Sequence, residues 1–116
     1  MNIQISIRHM IASLVNKKMI LEMCYEIKNK YKSVNKIDIK IEDINGPYKT
    51  GIDKRCHLTV RGKDNLAFDI DDIDREINCA VDNAFYLLKK ALRKHSHPNN
   101  RHSHNTIYSH SKINRY

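Results

Sequence analysis

Residues 2–8 alternate strictly: Ile3, Ile5 and Ile7 point one way, and Gln4, Ser6 and Arg8 the other. That is the period of a strand with one buried face. From Ile11 to Tyr31 the period lengthens. Ala12, Met19, Ile20, Met23, Ile27 and Tyr31 form a stripe near helical spacing, while Lys17, Lys18, Glu26, Lys28 and Lys30 lie largely elsewhere. This predicts an amphipathic helix of about five turns. Its methionines are read as core packing. Alternation returns in "NKIDIKIEDI", with Ile37, Ile39 and Ile41 on one face and Lys36, Asp38, Lys40 and Glu42 on the other. Asn45-Gly46-Pro47 ends it, because Pro lacks a ladder donor.

A third strand is predicted from Lys54, with Cys56, Leu58 and Val60 inward and Arg55, His57, Thr59 and Arg61 outward. Gly62-Lys63-Asp64-Asn65 reads as a hairpin turn, and Leu66, Phe68 and Ile70 face inward from a fourth strand. A last helix is predicted from about Asp74 to His95. Its stripe is Ile77, Val81, Ala84, Leu88 and Leu92, supported by Ala80, Phe85 and Ala91. Asp71, Asp72 and Asp74 are placed at its start and Lys89, Lys90, Arg93 and Lys94 near its end, each at the end the helix dipole favours.

The predicted order is β-α-β-β-β-α. Each strand has one apolar face, so both helices must cover the same side of the sheet. The expectation is a two-layer α+β domain with a mixed four-stranded sheet. Its first two strands run parallel through a right-handed crossover, and the rest are antiparallel. The 116 residues suit one domain. It is placed at 1–95, followed by a tail at 96–116, "SHPNNRHSHNTIYSHSKINRY", whose polar composition predicts disorder.

Charge adds a direction to this picture. The formal net charge is +8, and seven of the 21 lysines and arginines, but none of the 13 acids, lie from Lys89 onward. A basic, acid-free end recruits polyanions; as a bland alternative it merely solubilises. Tyr86, Lys89, Lys90, Arg93 and His97 advance by three or four residues and share one stripe, with Lys94 beside it. Lys17, Lys18 and Lys28 extend the field if the two helices lie side by side. Cations outnumber base-reading Asn and Gln on these stripes, which favours recognition of backbone and shape over sequence. Lys54 and Arg55 add two cations at the start of the third strand, although Lys54 has Asp53 and the acidic run as alternative partners.

Other chemistries find little footing. "DIDDIDRE" is acidic but lacks the Gly-centred loop and terminal Glu of a calcium hand. Three glycines make no phosphate loop, and no nucleophile motif surrounds a Ser or Cys. The histidines His95, His97, His102, His104 and His110 offer imidazoles for Zn²⁺ or Ni²⁺, but a flexible tail rarely builds a closed metal site. No metal or other cofactor is therefore expected. Cys24, Cys56 and Cys79 are odd in number and lack CxxC spacing, which suits a reducing cytoplasm, with Cys56 a core residue. The alternating start is unlike a secretory leader, and no run approaches the roughly 18 apolar residues of a membrane span.

Two stretches resemble a known family. "GPYKTGIDKRCHLTVRG" and "DIDREINCAVDNAFYLLKKALRK" are similar to the ribosome hibernation-promoting factors and ribosome-associated translation inhibitors. The matching positions are Gly46, Pro47, Asp53, Lys54, Arg55 and Cys56 in the first, and Ala80, Val81, Asp82, Ala84, Leu88 and Leu92 in the second. The resemblance implies a fold like a double-stranded-RNA-binding domain. It also implies a non-enzymatic protein that binds small-subunit rRNA in the mRNA and tRNA channel and blocks translation in stress or stationary phase. It nominates Lys89, Lys90, Arg93 and Lys94 as RNA contacts, with Lys54 and Arg55 beside them. Tyr48-Lys49-Thr50 replaces much of the family's usual glycine-rich loop. The chain looks like a short form without the second, dimerising domain, from which ribosome pairing does not follow; a monomer is expected when free. A general structured-RNA binder and a metal-responsive protein using the His-rich tail are the alternatives.

Overall fold

A computed structural model describes residues 2–10, 12–44 and 53–95, and the backbone of a strand at 105–110. The Gly46–Gly51 loop, most of the predicted tail, and His97, His102 and His104 lie outside the described residues.

Strand β1 (Asn2–Arg8) is followed by a 3-10 turn (Ala12–Leu14), helix α1 (Lys17–Lys30), strands β2 (Val34–Asp43), β3 (Lys54–Gly62) and β4 (Ala67–Asp74), helix α2 (Ile77–His95) and strand β5 (Asn105–His110). The sheet order is β1-β2-β3-β4-β5. β1 runs parallel to β2, the pairs β2/β3 and β3/β4 are antiparallel, and β4 is parallel to β5. The first four strands and two helices have the order and pairing that the alternation predicts.

The inward residues share one core. Ile37, Ile39, Ile41, Cys56, Leu58, Val60, Phe68 and Ile70 are buried beneath Ile20, Cys24 and Ile27 of α1 and the α2 stripe. Every residue assigned to the α2 stripe and its supports is buried. At roughly 1.5–3 kcal/mol for each large apolar side chain removed from water, this layer dominates the folding free energy.

Gly62 closes the β3–β4 turn where space is tight. A Cβ there would collide with the Ser33 carbonyl oxygen, beside the register shift between Val34 and Lys36. Asp64 and Asn65 take left-handed φ values of 57° and 62°, which Asp and Asn tolerate better than most residues.

Three expectations change. The predicted helix from Ile11 breaks: after the 3-10 turn, the Asn16 side chain accepts a hydrogen bond from the Met19 N–H at 3.0 Å and caps a shorter α1. The aspartates placed at the start of α2 instead belong to β4, which runs to Asp74, while α2 starts at Ile77. The fifth strand, 105–110, lies where the sequence predicts disorder. With its Thr, Ile and Tyr, this segment suits a strand, and α2 returns the chain towards the edge of β4.

Candidate nucleic-acid interface

The apolar stripe of α2 is fixed against the sheet, so its opposite side is set by helical geometry. Lys90, Arg93 and Lys94 are exposed there, and Tyr86 lies one turn before Lys90. The Lys90 ammonium sits 5.5 Å from the centre of the Tyr86 ring, a cation–π contact. On α1, Lys17, Lys18 and Lys28 are exposed as well.

A salt bridge links the two helices. Lys89 Nζ donates to Glu26 Oε1 at 2.7 Å. This bond and the Lys89 charge, with Lys30 adding a smaller effect, hold the Glu26 carboxyl below the usual glutamate range. Glu26, Ile27, Lys30 and Tyr31 line one side of a small cleft, with Lys89 and Arg93 on the other. Lys30 also lies over the Tyr31 ring at 5.7 Å. Lys89 thus belongs to the predicted row but already has an anionic partner. Glu26 has no spacing signal that could have revealed this, because the pair joins two helices far apart in sequence.

Lys54 and Arg55 do not join that row. Lys54 shares the inward parity of Cys56 and is 18 % exposed. It pairs with Asp53 at 2.6 Å and Asp43 at 2.9 Å, both buried. Donating hydrogen bonds to these carboxylates raises its pKa. Arg55 faces outward on the side of the sheet away from the helices. It donates to Asp71 at 2.7 Å and lies 3.4 Å from Glu42, and the Asp71 bond raises its pKa most. That face continues as a charge lattice: His57 lies 3.9 Å from Asp69 and 3.7 Å from Asp71, and Arg61 lies 3.5 Å from Asp69. Its cations and acids are interleaved, so it offers a polyanion much less than the helix side does.

His95 packs edge-on against Phe68, with ring centres 5.7 Å apart. Among the described residues no three His, Cys, Asp or Glu side chains are grouped to hold a metal ion. Asp72 is buried against α2, where it accepts from Asn83 at 3.1 Å. Asp72 and Asp71 thus serve different faces of β4 and do not form a convergent acid pair. Cys24 and Cys56 are buried; burial pushes the Cys24 thiol up to about 12 and raises that of Cys56 further, which makes both inert packing groups. No described helix is long and apolar enough to cross a membrane.

The arrangement supplies exposed cations spaced by a turn on one helix, with more exposed on α1, a charge pattern suited to a polyanion.

No family model matches the chain, and no curated protein matches it in sequence. Eleven solved chains are similar to it in structure. One is described as a ribosomal subunit interface protein from Coxiella burnetii. It superposes with a TM-score of 0.67 at 15 % identity, over 82 % of this chain and 97 % of its own. This likeness is one of fold: it extends over nearly the whole of that protein and corroborates the mixed-sheet α+β architecture.

Proposed function

We propose that this is a non-enzymatic, cytoplasmic, ribosome-associated protein that binds small-subunit rRNA in the mRNA and tRNA channel and so inhibits translation in stress or stationary phase. The observation that carries the reading is the exposed row Lys90, Arg93 and Lys94 on α2, with Lys30 of α1 across the cleft from Arg93, on a fold shared with a solved ribosomal subunit interface protein. The resemblance of residues 45–62 and 74–94 to the hibernation factors supports the small-subunit assignment. Lysines and arginines displace condensed counterions from phosphate, and the entropy of their release drives binding. The sheet beneath α2 holds the row in a fixed shape, which favours folded RNA over flexible polyanions. The free protein is a monomer, with domain 1–95 as the binding unit.

Sedimentation of the purified chain with isolated small subunits, in competition with an excess of bulk structured RNA, tests this. Retention on the subunits is expected. Complete displacement by bulk RNA would favour a general structured-RNA binder, a reading favoured in its own right by the scarcity of base-reading side chains on the row.

A further inference from the structure

Tyr86 is not explained by phosphate contacts. At 60 % exposure it is the most exposed large apolar side chain among the described residues. The packing of α2 does not use it, since Ala84, Phe85 and Leu88 already fill the sheet side. It stands in the cationic row: Lys90 is one turn further on and Arg93 and Lys94 two turns, with Asp82 one turn before. Lys90 covers part of the ring at 5.5 Å, and the remaining surface is open.

We infer that Tyr86 is a stacking platform for an unpaired base of the bound RNA, whose neighbouring phosphates are held by Lys90 and Arg93. The inference rests on the ribosomal reading above and adds to it the kind of RNA involved, a bulge or loop and not an uninterrupted duplex. A duplex buries its base faces, so it could use the cations but not the ring. An exposed aromatic among phosphate-binding cations suits a splayed nucleotide instead, because every base has a face to stack. A Lys ammonium above the ring fixes the tyrosine orientation before binding, which lowers the ordering cost. One helical turn, about 5.4 Å, separates ring from cation, within reach of a single nucleotide.

Binding to purified small-subunit rRNA, measured across a series of salt concentrations, tests the inference with Tyr86→Ala, Tyr86→Phe and Lys90→Gln. Stacking is worth about 1–3 kcal/mol per base, so Tyr86→Ala should weaken binding roughly 5- to 150-fold with an unchanged salt slope. Tyr86→Phe should bind within about twofold of wild type, because the ring face is kept. Lys90→Gln should lower the salt slope by about one unit. Wild-type affinity in Tyr86→Ala would overturn the inference and leave the ribosomal reading standing. So would a Tyr86→Phe defect as large as that of alanine, since it would indicate a hydroxyl contact. Normal rRNA binding by Tyr86→Ala with loss of binding to intact subunits would overturn it as well, placing the ring against a ribosomal protein. A wild-type chain that binds neither rRNA nor subunits would overturn both readings.

Discussion

Lys54 offers a test of whether a cation held between buried carboxylates acts on the fold and not on the proposed RNA contact. It opens β3 on the inward side, opposite Asp43 in the register, and its ammonium lies within 3 Å of two carboxylates, each 1 % exposed. Lys54→Met keeps the length and apolar stem but removes the charge facing both acids. Breaking a buried pair by deleting one partner costs about 3–5 kcal/mol. Since Lys54 retains 18 % exposure, the lower end, about 3 kcal/mol, is expected. For a domain of this size that lowers Tm by about 12 °C or more. The raised folded-state pKa of Lys54 sets the sign with pH. Its stabilisation is complete below the unfolded pKa, near 10.4, and fades as pH rises through the higher folded value. The gap between wild type and variant should therefore narrow only in strong alkali. Urea titration at neutral pH gives the free energy, and rRNA binding below the melting temperature gives the salt slope, which should match wild type. A loss under about 1 kcal/mol, the level of a solvent-exposed pair, would refute the burial argument. A salt slope reduced by about one unit would show that Lys54 contacts phosphate.

Glu26→Gln should free Lys89 for phosphate, increasing rRNA affinity and steepening the salt slope by up to about one unit; an unchanged slope would leave Lys89 outside the interface. Because Lys89 depresses the Glu26 pKa, that pair should stabilise the fold above the ordinary glutamate pKa, near 4.3, and lose its effect as pH falls through the depressed value. Melting curves from about pH 5 to pH 2 should show this component in wild type and not in Glu26→Gln. Gly62→Ala should cost about 1–3 kcal/mol in urea titration, because the added methyl forces the Ser33 backbone to move; wild-type stability would show that the turn has slack.

Much of this fold was legible because its signals are local. Ile37, Ile39 and Ile41 in β2 and Cys56, Leu58 and Val60 in β3 alternate with polar residues, and all six are buried. Ile77 to Leu92 repeat at helical spacing, and the stripe they form is the buried one. The break at Asn16 was not legible, because the apolar stripe continues through it and only the cap to Met19 reveals the new start. Asp71, Asp72 and Asp74 suggested a helix start, but strand pairing with His57, Cys56 and Lys54 extends β4 through them. The strand at 105–110 had too little apolar alternation to be seen without the neighbouring edge of β4.

The candidate site was legible in part for the same reason. Spacing alone puts Lys90, Arg93 and Lys94 on the outer side of α2, where they are exposed. Spacing carries no information about partners from other elements. Hence Lys54, Arg55 and Lys89 looked alike in the sequence, although one is clamped between buried aspartates, one faces the opposite side of the sheet, and one bridges to Glu26.

Under the proposed function, the exposed cations of α2 carry binding to the small subunit. Sedimentation of Lys90→Glu/Arg93→Glu/Lys94→Glu with purified small subunits, alongside its melting curve, separates that role from a structural one. The variant should melt like wild type and stay in the supernatant. A folded variant that pellets with the subunits as wild type does would contradict it.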